Sequence, residues 1–512
     1  MQKVQGRLSG KATVQALIVI SLIYILIRVL VSVSLEPVVM VDSQDYLYNA
    51  STPLNFDFFC FSKPAGVALV YKMLAQDLDA IVRFQRLFSL ISWLAFAWAC
   101  VLALPDTTIR PVFFSGILLY SLTGDITAWD AVIMSESISL SLMLLFLAAA
   151  IYFFTRPAWR GLLPVCLFGA AWALVKESNA LLLFLTAILF LAAGVLLFRR
   201  RRLLWAGAFL CLVFMTVQGF SNLGERWKFP MLNVIGHRVL VDPQALDFFE
   251  AHGMPVDEAL MQMQYAWGNS QGSAFLNSPE LRPFQTWFHA HARGTYMQYL
   301  LRHPLESLRE PLMHLDQVFP RPVEGKAASI LPGIWIGLVA VGVLTTFILA
   351  WSGRGGPLAW PVFFWLLLVI PHMWIVWNGD VMEMARHAFQ LRVHVALATG
   401  LALLVGLRAW QTDKPGSRGW WPAGWARLRA ALAPGRLMLG RGAAVSGWLI
   451  ACFALLYDFV LAPGFFQFRF YIGPEQWLAA FAGLLCMAGG LWLIHRDGAV
   501  SSQLKKRAHE VE

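Results

Sequence analysis

The feature that most constrains this 512-residue chain is its recurrence of long apolar runs. Twelve are read, at about 13–34, 87–104, 111–128, 131–154, 161–175, 180–198, 203–220, 329–351, 357–377, 388–407, 443–462 and 477–495. Most approach the roughly 20 residues a helix needs to cross a hydrocarbon core about 30 Å thick. Inside lipid a backbone must satisfy its own hydrogen bonds, so such runs fold as helices. The expected fold class is therefore an all-α membrane protein, a polytopic helical bundle of about 12 transmembrane helices. With 58% hydrophobic and only 14% charged residues, an ordinary soluble domain is excluded.

Where the charge falls sets the expected orientation. Arg110, Arg156, Arg160, Arg199 to Arg202, Arg354, the basic segment 408–441 and Lys505-Lys506-Arg507 all lie in connections that share one side when the N-terminus is cytoplasmic. That is the positive-inside pattern, with both termini inside, so the net charge of +10 reports orientation and not nucleic-acid binding. The first run follows Lys3, Arg7 and Lys11 and lacks a convincing cleavage site, which suits a retained signal anchor. Three parts are expected: a transmembrane module over 1–220, a large outer loop or small domain over 221–328, and a second module over 329–512. The first outer loop, 35–86, carries two amphipathic stretches, Val67 to Leu78 and Ile81 to Leu87, that suit interfacial helices. Loop 221–328 has too modest an apolar content to promise a core of its own. Five of six cysteines fall in apolar runs, and neither a disulfide framework nor a metal-binding Cys motif is visible.

In so apolar a chain the scarce polar residues are informative. Asp42-Ser43-Gln44-Asp45-Tyr46 lies just beyond the first run. Asp125 and Asp130 flank the next outer turn, Glu136 enters the fourth run within Ser135-Glu136-Ser137, and Lys176-Glu177 separates the fifth and sixth. Asp380, Glu383, Arg386 and His387 fill the turn before the tenth. Nearly all stand at the outer ends of spans, where a buried carboxylate such as Glu136 needs a cation, cavity or hydrogen-bond partner. A carboxylate there can act as general base, and cations can hold a leaving phosphate. Plainer roles exist for each: a helix cap for Asp42 or Asp45, a local pair for Lys176-Glu177, a headgroup anchor for Arg386-His387.

These residues resemble the GT-C superfamily of integral-membrane glycosyltransferases, which use polyprenyl-phosphate sugars as donors. The acidic motif after the first span, followed by Ser62-Lys63-Pro64 and an amphipathic stretch, is similar to that superfamily's first outer loop. Ser135-Glu136-Ser137 and Glu383-Met384-Ala385-Arg386-His387 resemble acidic and Arg-His positions entering later spans. The resemblance implies an inverting transfer on the periplasmic face of a bacterial inner membrane, to a lipid, glycan or protein acceptor. It assigns Asp42 as base, with Asp45 as the alternative, and places Lys63, Glu136, Lys176, Glu383, Arg386 and His387 around donor or acceptor. The chain departs from the common pattern in having Ser43 where an adjacent acid is usual, and Lys63 where Arg is expected. No cofactor is required, although Mg²⁺ or Mn²⁺ bridging Asp42, Glu136 and phosphate would suit carboxylate ligands. Competing readings are a polytopic transporter or lipid flippase, and an enzyme like the O-antigen ligases or polymerases.

Overall fold

The computed structural model describes residues 2–33, 36–104, 109–156, 158–197, 201–268, 275–318, 331–353 and 355–412. Among them the chain is helical throughout; the one β feature is a bridge between Val38 and Val132. Among the described residues seven helices are long and apolar enough to cross a membrane: Thr13–Val31, Leu78–Leu102, Glu136–Thr155, Glu177–Val195, Arg201–Leu223, Ala359–Gly379 and Met384–Ala409. The protein is thus an all-α membrane protein. The runs at 443–462 and 477–495, and most of the basic segment 408–441, lie outside the described residues.

Helix Glu136–Thr155 is the centre of the bundle. It is apolar on every face and buried along nearly its whole length, as a helix surrounded by others must be. Peripheral helices instead show one exposed apolar stripe: Ile18, Leu22 and Leu26 on Gln2–Val33, Leu212 and Met215 on Arg201–Leu223, Val341 and Leu344 on Leu331–Trp351. Within a soluble protein such stripes would be costly; against lipid they are the matched surface.

Several expected spans are broken, for local reasons. The run at 111–128 is helical over Ile109–Ser121, then turns into a short helix, Gly124–Thr127, and a 3₁₀ turn, Ala128–Asp130. Val38 then pairs across Val132: Val38 N donates to Ala131 O and Ile133 N to Val38 O, both at 2.9 Å. The following helix therefore starts at Glu136 and not near 131. The run at 357–377 divides at Leu368 into Ala359–Leu367 and Val369–Gly379. Pro371 accounts for this, because it lacks the N–H that would bond to the Leu367 carbonyl.

Two expectations about the loops need correction. The first loop folds as Val41–Ser51, Phe56–Phe59 and Ala65–Met73. Val67, Ala68 and Tyr71 are fully buried in the bundle core, so Ala65–Met73 packs inward. Residues 81–87 are no separate interfacial helix; they belong to Leu78–Leu102, whose start is capped by Asp77 Oδ1 accepting from Asp79 N and Ala80 N. The second correction concerns 221–318, which does have its own core. Leu232, Ile235, Phe249, Phe275, Phe284 and Phe288 are its buried centre, distinct from the core of the bundle. Aromatic rings supply the area that aliphatic residues do not, each burying roughly 150–250 Å².

Candidate functional site

The bridge at Val38 and the turn of Met40 aim the first loop across one end of the bundle. Helix Val41–Ser51 begins before Tyr46, and Ser43 Oγ accepts the Met40 N–H at 2.8 Å. The cap is thus made by Ser43, and both carboxylates of the motif are free of that duty. Asp42 sits in the first turn and points inward, its side chain 15% exposed; Asp45 is half exposed.

Charges from four distant parts of the chain meet there. Arg386 Nη1 donates to Asp42 Oδ2 at 2.8 Å, across 344 residues of sequence. Lys63 Nζ lies 3.1 Å from Asp42 Oδ1 and 3.7 Å from Asp45 Oδ2. Lys176 Nζ donates to Glu136 Oε1 at 2.9 Å, with Ser135 Oγ at 3.3 Å from the other oxygen. Glu383 Oε2 lies 2.7 Å from Arg386 Nε. His387 is half-buried and stands in the field of Arg386, Lys176, Glu136 and Asp42. The electrostatic influence of Arg386 on Glu136 joins the two halves into one cluster. All eight candidate residues are thereby brought together.

Burial raises the Asp42 carboxyl, but the charges of Lys63 and Arg386 outweigh it and hold the group below its ordinary value. Tyr46, buried beneath, has its phenol pushed above the usual range by burial and then by the Glu136 charge. Both Asp42 oxygens face cations, so in this state the carboxylate is ionised and occupied. Asp380 stands apart from the cluster's contacts. It accepts from Asn233 Nδ2 at 2.9 Å and Met382 N at 3.0 Å, tying loop 221–318 to the turn before Met384–His387.

Other charges serve as struts. Lys176 and Glu177 do not pair with each other: Glu177 binds Arg226 Nη1 at 3.0 Å. Arg226 also donates to the carbonyls of Phe61 and Phe59, both at 2.6 Å, and so clamps the loop that presents Lys63. Asp130 is buried against Arg28 at 2.6 Å and accepts from Ser137 Oγ at 2.6 Å. For Asp125 only the backbone is described, within Gly124–Thr127. Deeper in the bundle, Ser139 donates to Gln390 and receives from Asn179, while His372 and His394 share a 2.9 Å Nδ1 to Nδ1 contact. His394 Nε2 is 2.8 Å from the Trp365 carbonyl, which fixes that nitrogen as a donor. These inner groups satisfy one another, as polar groups in a membrane interior must. None was marked by the sequence, because each partner lies far away along the chain.

Among the described residues no group of three or more His, Cys, Asp or Glu is arranged to hold a metal ion. Asp42 and Glu136 are met instead by Lys63, Arg386 and Lys176. The arrangement has the components for binding an anion and for taking a proton beside it. No family model matches the chain, and no curated protein matches it in sequence.

Proposed function

We propose that the chain is a membrane glycosyltransferase that moves a sugar from a polyprenyl-phosphate donor to an acceptor at the extracytoplasmic surface. The observation that carries this reading is the meeting of Asp42 with Lys63 and Arg386, beside Lys176 and Glu136, at one end of a lipid-embedded bundle. A phosphate-linked lipid brings three demands: an apolar surface in contact with lipid, cations for the phosphate, and a base for the incoming nucleophile. Spans with exposed apolar stripes, three cations and Asp42 answer them in turn.

In the step proposed, Asp42 takes the proton of an acceptor hydroxyl or amine. The nucleophile's electron pair forms a bond to the anomeric carbon, and the bond from that carbon to the phosphate oxygen breaks. The pair leaves with prenyl phosphate, whose added charge Arg386, Lys63 and Lys176 stabilise. Arg386 can offer two parallel N–H groups to phosphate, a geometry Lys cannot match. A phosphate that draws Lys63 and Arg386 away from Asp42 would also raise its basicity, since those cations are what hold it down. Glu136 orients Lys176.

A carrier would be expected to keep its charged residues exchangeable at mid-span. Here the inner groups are closed on each other, and the accessible charges gather at the helix ends. The test is native mass spectrometry of the protein purified from its membrane in mild detergent. A bound prenyl phosphate or prenyl-phosphate sugar supports the reading, lost in Arg386→Gln; a carrier substrate held at mid-span, with no prenyl lipid bound, would replace it.

A further inference from the structure

Three cations of the cluster, Lys63, Lys176 and Arg386, face four carboxylates, Asp42, Asp45, Glu136 and Glu383. The site is already neutralised by the chain's own acids. An anion entering it must displace one of them, because added negative charge without a released carboxylate would be repelled. The four acids are not equally placed to leave. Glu136 has a side chain 2% exposed and a 2.9 Å bond to Lys176. Asp42 is 15% exposed and engages two cations. Asp45 holds no contact to Arg386 and stands 3.7 Å from Lys63.

Glu383 differs from Asp42 and Glu136 in its exposure, and from Asp45, which is as exposed, in lying against Arg386. The Glu383 side chain is 45% exposed, so water can receive it. Its oxygen lies 2.7 Å from Arg386 Nε, yet that buried nitrogen makes no hydrogen bond, so the carboxylate sits off the N–H axis. And Glu383 itself occupies the left-handed backbone region at φ 46, ψ 46, a strained choice for a non-glycine residue. Its backbone is needed there: the carbonyl accepts from Arg386 N at 2.8 Å and His387 N at 3.1 Å, which fixes Met384–His387. The side chain can swing away without undoing that turn.

We propose that Glu383 is a placeholder, an exchangeable counter-ion that occupies the Arg386 N–H edge until a phosphate monoester or diester takes it. This rests on the reading of the cluster as a phosphate site and adds which acid yields. Arg386 is thereby kept aimed and neutralised while empty, and Glu383 sets how tightly the anion is held.

The test is binding of farnesyl phosphate to the full chain in nanodiscs, at low salt, for wild type, Glu383→Gln, Arg386→Gln and the remote exposed acid variant Asp247→Asn. The expected result is that Glu383→Gln binds roughly three- to tenfold tighter, that Arg386→Gln loses binding, and that Asp247→Asn matches wild type. Unchanged or weaker binding by Glu383→Gln, with Arg386→Gln still abolishing it, would overturn the placeholder while leaving the phosphate site intact. Absence of binding by wild type and Glu383→Gln alike would overturn both. Glu383→Asp, one methylene shorter on the same backbone, checks folding: it keeps the charge and should bind at least as weakly as wild type. Tighter binding by Glu383→Asp, matching Glu383→Gln, would overturn the charge argument.

Discussion

Removing Lys176 isolates the most deeply placed carboxylate of the cluster. In Lys176→Met, Glu136 loses the partner at 2.9 Å while its side chain remains 2% exposed. At that distance and an effective dielectric constant near 20, the attraction lost is about 6 kcal/mol before desolvation is considered. Breaking one side of a buried pair costs about 3–5 kcal/mol. Ser135 Oγ at 3.3 Å and the field of Arg386 remain, so the lower end, about 3 kcal/mol, is expected. Glu136→Gln should cost less, about 1 kcal/mol, because the Lys176 side chain is 16% exposed and can turn toward water. The double variant should recover roughly 2 kcal/mol of the summed cost, since neither charge is then stranded. The chain's 22 tryptophans give a fluorescence signal for unfolding in detergent micelles, which yields the full double-mutant cycle. Additive costs, with no recovery in the double variant, would show that the pair is not energetically coupled and refute this account of Glu136.

Two further outcomes follow from the same contacts. Because the Asp42 carboxyl is held below its ordinary value of 3.8, its pairing stabilises the fold above that pH and is lost as pH falls through the lowered folded value. The stability gap between wild type and Asp42→Asn, about 2 kcal/mol, should therefore stay constant at neutral pH and shrink only below about pH 4, read by unfolding at stepped pH; a gap already closing near pH 6 would contradict it. Arg226→Gln should loosen the segment around Phe59 and Phe61 that it clamps, seen as faster proteolysis or hydrogen exchange at 53–64 with the spans unchanged; equal protection would show the clamp to be idle.

The apolar runs alone made most helices legible, since lipid leaves a backbone few alternatives. The breaks were harder. Helix Glu136–Thr155 starts late because Val38 draws Val132 into a bridge, a contact between segments nearly a hundred residues apart. Loop 221–318 looked too polar for a core because its buried residues are scattered over short helices and a few aromatic rings. At the site, residue type and position at span ends were enough to collect Asp42, Glu136, Lys176 and Arg386. Partner choice was not legible: Lys176 passes over its neighbour Glu177 for Glu136, and Glu177 takes Arg226, a residue no motif marked. Arg28 and Asp130 show the same limit, since a buried pair across 102 residues leaves no periodic trace.

The central claim, that this cluster transfers a lipid-linked sugar with Asp42 as its base, is tested most directly in the membrane itself. The measurement is mass spectrometry of lipid-linked sugars from cells lacking the chain, complemented with wild type or with Asp42→Asn at matched expression. One prenyl-phosphate sugar should accumulate without the chain, vanish with wild type and persist with Asp42→Asn. Its disappearance with Asp42→Asn, or the absence of any such lipid change, would contradict the claim.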